Sequence, residues 1–354
     1  MTADEVFMHR CLELAARGAG LVAPNPLVGC VVVHDGVVVG EGYHHRFGGP
    51  HAEVVAISRI RDPEVLKTCT LYVNLEPCSH WGKTPPCADL IISGGIPRVV
   101  IGCADPNPLV AGKGIRRLRD AGIRVDVGVA EEEAQRLNHA FITFQTLHRP
   151  RIILKWAQTR DGFMDKLRTP DTSAGVNWIT DLKLKSLVHR WRAETDAILV
   201  GAGTVRNDDP ELTTREWPGK SPLRIILDRE GDSGTDYRVY DGSVPTWIYT
   251  ASPPVETTDK VLFIPVNPPD QSVFNSLMDT LYQHKILTLL IEGGKETLEG
   301  FMRQGLWDEY RVFTGNRFFG QGIAAPPLPS QPELTYHFGN ELLEIGYNCK
   351  HLAR

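Results

Sequence analysis

The chain of 354 residues lacks several things, and each lack removes a class of explanation. No apolar run reaches the ~18 residues that a membrane-crossing helix needs. Positive charge is not in excess. Lysines and arginines number 38 against 43 aspartates and glutamates, for a formal net charge of −5 at pH 7. No global basic field advertises a nucleic-acid partner. The first twenty residues are charged and amphipathic, without the apolar core and small-residue cleavage site of an export signal. The expected compartment is therefore the reducing cytoplasm. Seven cysteines, an odd count, argue there against a disulfide framework. What is present is an ordinary globular mix, 42% hydrophobic and 23% charged, enough for two cores and too apolar for disorder.

Periodicity divides the chain. Residues 4–17 carry apolar positions near helical spacing, and Ala23-Pro24-Asn25-Pro26 breaks that helix. Two β-branched runs flank Asp35-Gly36, a hairpin signal. Helices are expected at 51–60, 87–93, 113–121 and 131–147, with strands at 70–75, 98–102 and 123–129. This alternation implies a layered α/β domain over 1–147. His148-Arg149-Pro150 is the best boundary, and a second α/β domain is expected over 150–354. Its strands are expected at 151–156, 197–200, 223–227, 246–249, 261–264, 287–292 and 311–314. Helices are expected at 181–193, near 271–284 and at 296–304. A Gly/Pro loop at 320–332 follows the last clear strand. The crossover connections favour a parallel or mixed sheet.

Chemistry concentrates in His51-Ala52-Glu53 and in the string from Glu76-Pro77-Cys78 to Cys87. One imidazole, His51, and two thiolates, Cys78 and Cys87, supply three protein ligands for Zn²⁺. The fourth position is left for water, as in catalytic rather than structural sites. Glu53, two residues beyond His51, can shuttle a proton between that water and a departing amine. Nucleobase deaminases divide the labour this way, usually with Pro-Cys-x-x-Cys; here the second cysteine follows nine residues after the first. A structural zinc would instead need a fourth protein ligand, which His80 or His44 could offer. Taken singly, Asn25 reads as a turn residue, His44 and His80 as hydrogen-bonded histidines, and Lys83 as a solvated charge.

In order, Ala23-Pro24-Asn25-Pro26, Gly40-Glu41-Gly42-Tyr43-His44, His51-Ala52-Glu53, the Glu76–Cys87 string and Asp105-Pro106-Asn107 resemble the deaminase half of the bifunctional riboflavin-biosynthesis deaminase/reductase family. The resemblance implies a cytidine deaminase-like α/β/α layered domain. Its substrate would be 2,5-diamino-6-ribosylamino-4(3H)-pyrimidinone 5′-phosphate, with contacts on Asn25, His44, His80, Lys83 and Thr84. Lys83 could present a point charge to the phosphate.

The second half has no Gly-x-Gly-x-x-Gly after its first strand. It has two strand–turn–helix junctions, Leu290–Leu298 and Ile198–Pro210, whose backbone N–H groups could approach phosphate. With Lys155-Trp156-Ala157, Trp178-Ile179-Thr180, Arg192 and Leu212–Arg215, these segments resemble the family's reductase half. That half implies a dihydrofolate reductase-like α/β fold and NADPH. Cofactor contacts would fall on Ala157, Trp178, Thr204, Asp208 and Gly294, Lys295, Glu296, Thr297, Leu298, Glu299, Gly300. Substrate contacts would fall on Lys155, Arg192, Leu212, Arg215 and Glu292. Arg192 and Arg215 could grip the 5′-phosphate, while hydride opens ribosyl to ribityl. Val176 stands where the family often has a small hydroxyl residue, and Arg229 where serine is common. The resemblance also implies a homo-oligomer, dimer or tetramer. Another zinc deaminase with an appended domain is the alternative. So is a non-catalytic module on a dead scaffold, which the intact His51, Glu53, Cys78 and Cys87 oppose.

Overall fold

The structure, a computed structural model, describes residues 1–79, 81, 85–107, 111–168, 175–231, 236–253, 259–266 and 271–348, without the side chains of 271 and 272. The chain divides into two compact units, Met1–His148 and Arg149–Arg354.

In the first unit, α1 (Ala3–Ala16) opens with Thr2, whose hydroxyl accepts from the Glu5 N–H while the Glu5 carboxylate accepts from the Thr2 N–H. The hairpin β1 (Gly29–His34) and β2 (Val37–Tyr43) turns at Asp35-Gly36, both left-handed at φ 47° and 77°. That pair of positive φ values is why Gly follows Asp there. Then come α2 (Ala52–Ile57), β3 (Thr70–Leu75), α3 (Cys87–Ser93), β4 (Arg98–Cys103), α4 (Lys113–Asp120) and β5 (Arg124–Val127). The sheet runs β2-β1-β3-β4-β5, antiparallel on the β2 side and parallel from β3 to β5. Alternation along β1 fills two cores. Val31 and Val33 meet Met8, Cys11 and Leu14 of α1, whereas Cys30 and Val32 meet Ala52 and Ala56 of α2, Ile91 of α3 and Leu118 of α4. The domain is therefore three-layered, α/β/α.

One expected helix differs. Residues 131–147 form two helices, α5 (Glu131–Leu137) and α6 (His139–Leu147), broken at Asn138. The buried Asn138 side chain accepts from the Leu27 N–H at 2.8 Å and donates to the Leu27 carbonyl at 2.9 Å. Asn74 helps it, donating to the same carbonyl and accepting from the Gly29 N–H. Tertiary pairing of the Asn138 amide overrides the local helical pattern.

The second unit runs β6 (Arg151–Gln158), β7 (Phe163–Asp165), α7 (Lys185–Glu194), β8 (Ala197–Gly201), α8 (Ala202–Asp208), β9 (Leu223–Leu227), β10 (Thr246–Thr250) and β11 (Val261–Pro265). It continues with α9 (Gln271–Gln283), β12 (Thr288–Ile291), α10 (Lys295–Arg303), β13 (Glu309–Thr314), β14 (Ile323–Ala324), β15 (Leu334–Phe338) and β16 (Glu341–Tyr347). Nine strands lie in the order β11-β10-β9-β8-β12-β6-β13-β16-β15, parallel as far as β13. Both faces are covered, so strands such as Ile152-Ile153-Leu154 are continuously apolar. Ile152 and Leu154 pack with Leu277 of α9 and Phe301 of α10; Ile153 packs with Trp191 of α7 and Val205 of α8.

Three differences from the sequence expectation lie here. Helix 181–193 starts as a 3₁₀ turn over Leu182–Leu184 before α7. The loop 320–332 contains β14, paired with β7. A terminal antiparallel hairpin, β15–β16, extends the sheet beyond the last expected strand.

Candidate active sites

The first site collects where β3, α2 and α3 end or begin. His51 immediately precedes α2, Glu53 lies in its first turn, Cys78 follows β3, and Cys87 opens α3. Close packing of α2 on β2 sets this arrangement. A Cβ on Gly42 would come within 2.7 Å of Ala56 N and Val55 Cβ, so only glycine lets the helix sit there. His51 Nδ1 lies 3.2 Å from Cys87 Sγ and 3.6 Å from Cys78 Sγ, and the three donor atoms fall within 4.8 Å of one another. Tetrahedral bonds of about 2.0 Å to nitrogen and about 2.3 Å to sulfur separate the donors by roughly 3.5 Å. The donor set therefore fits zinc in both chemistry and spacing. The Cys87 thiol donates to Cys78 and, against burial, holds the Cys78 thiol down at about 4. The Cys87 N–H also points at Cys78 Sγ, at 3.3 Å. Glu53 is buried beside them; burial first, and the Cys78 charge second, push its carboxyl above the usual range.

His44, also buried, stands with its ring 5.7 Å from that of His51, edge to face. Its Nδ1 contacts the Pro50 carbonyl at 3.0 Å. A carbonyl only accepts, so Nδ1 carries the proton and Nε2 accepts from the Asn25 amide nitrogen at 3.0 Å. Asn25 is thus left with its Oδ1 to offer. His80, Lys83 and Thr84, three of the expected contacts, lie outside the described residues.

Glu76 carries no expected role, yet its buried carboxylate accepts from four backbone N–H groups. Those of Asp105 and Gly112 reach Oε2, and those of Gly114 and Ile115 reach Oε1, at 2.8–3.2 Å. It anchors the start of α4 and the Asp105 segment beside Cys78. Only the position of an acid before Pro-Cys hinted at this.

The second site is a cleft of about 1100 Å³ in the Arg149–Arg354 unit. Its walls come from the carboxyl ends of β6, β8 and β12, the starts of α8 and α10, and one face of α7. Such a crevice at strand ends is where open α/β sheets bind ligands. A Cβ on Gly201 or Gly293 would strike the Thr297 side chain at 2.6 or 2.9 Å, so both turns rest against the first turn of α10. This tight cradle, with Gly201–Thr204 and Gly293–Thr297 lining the cleft at two helix starts, fits a phosphate-bearing cofactor.

Of the expected cofactor contacts, Ala157, Trp178, Thr204, Asp208, Gly294, Lys295, Glu296, Thr297 and Gly300 line the cleft. Leu298 does not: it is fully buried among the core residues of α9 and β12. Glu299 also stays off it, beside Lys295 and Arg303. Lys155, Arg192, Leu212, Arg215 and Glu292 all line the cleft.

Both arginines expected to grip the phosphate already have protein partners. Arg192 is bound in two-pronged fashion to Glu292, Nε to Oε1 at 3.0 Å and Nη2 to Oε2 at 2.8 Å, and its Nη1 donates to the Thr213 carbonyl. Burial alone would raise the Glu292 carboxyl. Arg192 and then Lys155, whose Nζ is 3.8 Å away, outweigh it and hold the acid at about 2. A guanidinium so engaged is a partner for Glu292 before it is one for phosphate. Arg215 is half-exposed and held by Glu211 and Thr213. Burial pushes Asp208 up to about 6, although Arg168 donates to it at 2.9 Å.

A model of the RibD C-terminal domain matches residues 150–345. The chain belongs to the RibD family. A model of the cytidine and deoxycytidylate deaminase zinc-binding region matches residues 1–103. The riboflavin biosynthesis protein RibD of Aquifex aeolicus is 44% identical over 92% of this chain and 90% of its own length. That of Escherichia coli is 36% identical over 99% of both. Among solved structures, a diaminohydroxyphosphoribosylaminopyrimidine deaminase/5-amino-6-(5-phosphoribosylamino)uracil reductase from Thermotoga maritima is 40% identical. It covers 98% of this chain, and this chain 99% of it, with a TM-score of 0.87. This RibD chain thus joins a zinc-binding deaminase domain to an NADPH-using reductase domain, a hydrolase and an oxidoreductase of riboflavin biosynthesis. No helix among the described residues is long and apolar enough to cross a membrane.

Two further RibD residues were missed in sequence. Arg168 ties Asp165 on β7 to Asp208 and to the Asn207 and Gly175 carbonyls, bracing the rim that carries Val176 and Trp178. Arg224, wholly buried on β9, donates to Asp241 and to the carbonyls of Glu211, Arg238 and Val244, fixing the segment that leads into Leu212. Neither has a local sequence signal, because their partners are scattered along the chain.

Proposed function

We propose that Met1–His148 deaminates 2,5-diamino-6-ribosylamino-4(3H)-pyrimidinone 5′-phosphate. Arg149–Arg354 then reduces the ribosyl chain of the product, giving 5-amino-6-(5-phosphoribitylamino)uracil. The observation that carries this is the convergence of His51, Cys78 and Cys87 with the buried Glu53 at one point.

His51, Cys78 and Cys87 would hold the metal. Zinc, when bound, supplies the Lewis acidity that brings the pKa of water towards ~7. Glu53 takes a proton from the attacking water and returns it to the amine. The C–O bond forms, the C–N bond breaks and ammonia leaves. A carboxyl whose proton affinity is raised by burial suits both halves of that transfer. Asn25, its amide turned by His44, offers Oδ1 to an N–H of the pyrimidine edge. His80, Lys83 and Thr84 remain proposed contacts of the same substrate, Lys83 for its phosphate.

In the reductase cleft, Ala157, Trp178, Thr204, Asp208 and the start of α10 would hold the nicotinamide cofactor. Leu298 and Glu299 would contribute backbone only. NADPH, when bound, supplies the hydride for C1 of the ring-opened ribosyl imine. Lys155, its ammonium 3.8 Å from the ionised Glu292, would supply the proton that accompanies it. Arg215 and Leu212 line the substrate side, with Arg192 keeping Glu292 in place.

We also propose a cytoplasmic homo-oligomer, dimer or tetramer. Exposed Leu334, Tyr336 and Phe338 on the edge strand β15 support self-association. Sedimentation velocity reads that directly. The reaction sequence is tested by supplying the diaminopyrimidinone phosphate with and without NADPH and identifying the products by mass. The deaminated ribosyl compound is expected without cofactor and the ribityl compound with it; an unchanged substrate in both samples would sink the proposal.

A further inference from the structure

Helix α7 turns Lys185, Val188, His189 and Arg192 towards the reductase cleft, the spacing of one helical face. Two of its polar side chains are already engaged, Lys185 with Glu216 and Arg192 with Glu292. His189 differs. It is only 1% exposed, and its Nδ1 accepts the backbone N–H of Arg215 at 2.9 Å. That bond fixes the tautomer, with the lone pair on Nδ1 and the proton on Nε2. Burial first, then the charges of Arg192 and Arg215, hold the imidazole down at about 4, so the ring is neutral near pH 7. Its Nε2–H has no acceptor among the described residues, although the ring borders the cleft. That nitrogen is not sealed from solvent, so the N–H opens onto the cleft. Here the missing acceptor is one that a ligand in the cleft can bring.

We propose that His189 is a substrate-binding residue of the reductase, donating from Nε2 to an oxygen of the sugar-phosphate arm between α7 and Leu212–Arg215. The inference rests on the reductase reading above. It also compensates for what Arg192 cannot give while bound to Glu292. One ring then does two things: its inner nitrogen fixes the backbone of Arg215, and its outer nitrogen meets the ligand that Arg215 faces.

Two substitutions separate binding from scaffolding. In His189→Asn, the amide oxygen stands near Nδ1 and still accepts the Arg215 N–H, but the outer donor is gone. In His189→Gln, the amide nitrogen reaches the Nε2 position and the inner acceptor is lost. Reductase kinetics on the full chain, with the deaminated intermediate and NADPH, should show KM for the intermediate about tenfold higher in His189→Asn. KM for NADPH and deaminase turnover should be unchanged, and His189→Gln should recover most of the loss. A scaffolding role alone gives the opposite order. That order, or equal KM values in all three enzymes, overturns the inference. A measurement without variants checks it again. In ¹⁵N-histidine-labelled wild-type enzyme, the Nε2–H signal of His189 should shift when the intermediate binds without NADPH; a signal that stays put overturns the assignment. Wild-type enzyme that cannot reduce the intermediate at all removes the reductase reading, and this inference with it.

Discussion

The two sites are built by opposite strategies. In the deaminase domain, four side chains from 37 consecutive positions, His51 to Cys87, converge on a point. In the reductase domain, the cleft is assembled from strand ends and helix starts between Lys155 and Ile323, and residues from many elements share its lining. The first site depends on a few atoms of particular elements; the second depends on shape and on one internal ion pair. A metal tolerates almost no change of ligand, whereas a cleft distributes its binding over many weak contacts. Single substitutions should therefore silence the deaminase and mostly retune the reductase.

The sharpest way to break that contrast is Cys87→Ser. Zinc content and deamination should fall to background, while reduction of supplied intermediate continues at the wild-type rate. Loss of both activities together would show that the sites are not separable. Next comes Glu53→Gln, which should keep the metal and lose about 10²–10⁴ in deamination rate, read by pairing zinc analysis with product assay. A third test attacks the ion pair. Arg192→Met leaves Glu292 buried with only Lys155 at 3.8 Å, and removing one member of a buried pair costs about 3–5 kcal/mol. Reductase activity should disappear at lower urea than in wild type, with the deaminase midpoint unmoved; coincident shifts would contradict two independent units. The smallest effect is expected from Val176→Ser. Val176 lines the cleft and is half-exposed, so a hydroxyl there should lower KM for the reductase substrate a few-fold. No change in KM would leave this departure from the common family residue without consequence.

The same contrast explains what could be read in the sequence. The zinc ligands were legible because few residue types bind zinc and their spacing is constrained. The strands of both sheets were legible because they are short, apolar and bounded by turn residues. Arg192 with Glu292 was not, since nothing local to either position reports a partner 100 residues away. The break at Asn138 was hidden by a run that looks helical on both sides. It is set by the distant Leu27. The terminal hairpin did carry a signal: Gly339-Asn340, with Gly339 at φ 63°, separates two β-rich runs. Glu76 was visible only as part of a motif, because its four N–H partners lie about 30–40 residues further on.

The two amides that saturate the stretch from Leu27 to Gly29 have a consequence for anyone screening this enzyme. Each carries a donor and an acceptor in one plane and so substitutes for a missing strand beside Leu27 and Gly29. Aspartate cannot donate, leucine can do neither, and glutamine overshoots by a methylene. A library selected on deamination would therefore return asparagine at positions 74 and 138 as stubbornly as glutamate at 53. Melting curves, rather than turnover, would tell these scaffolding amides from the catalytic machinery.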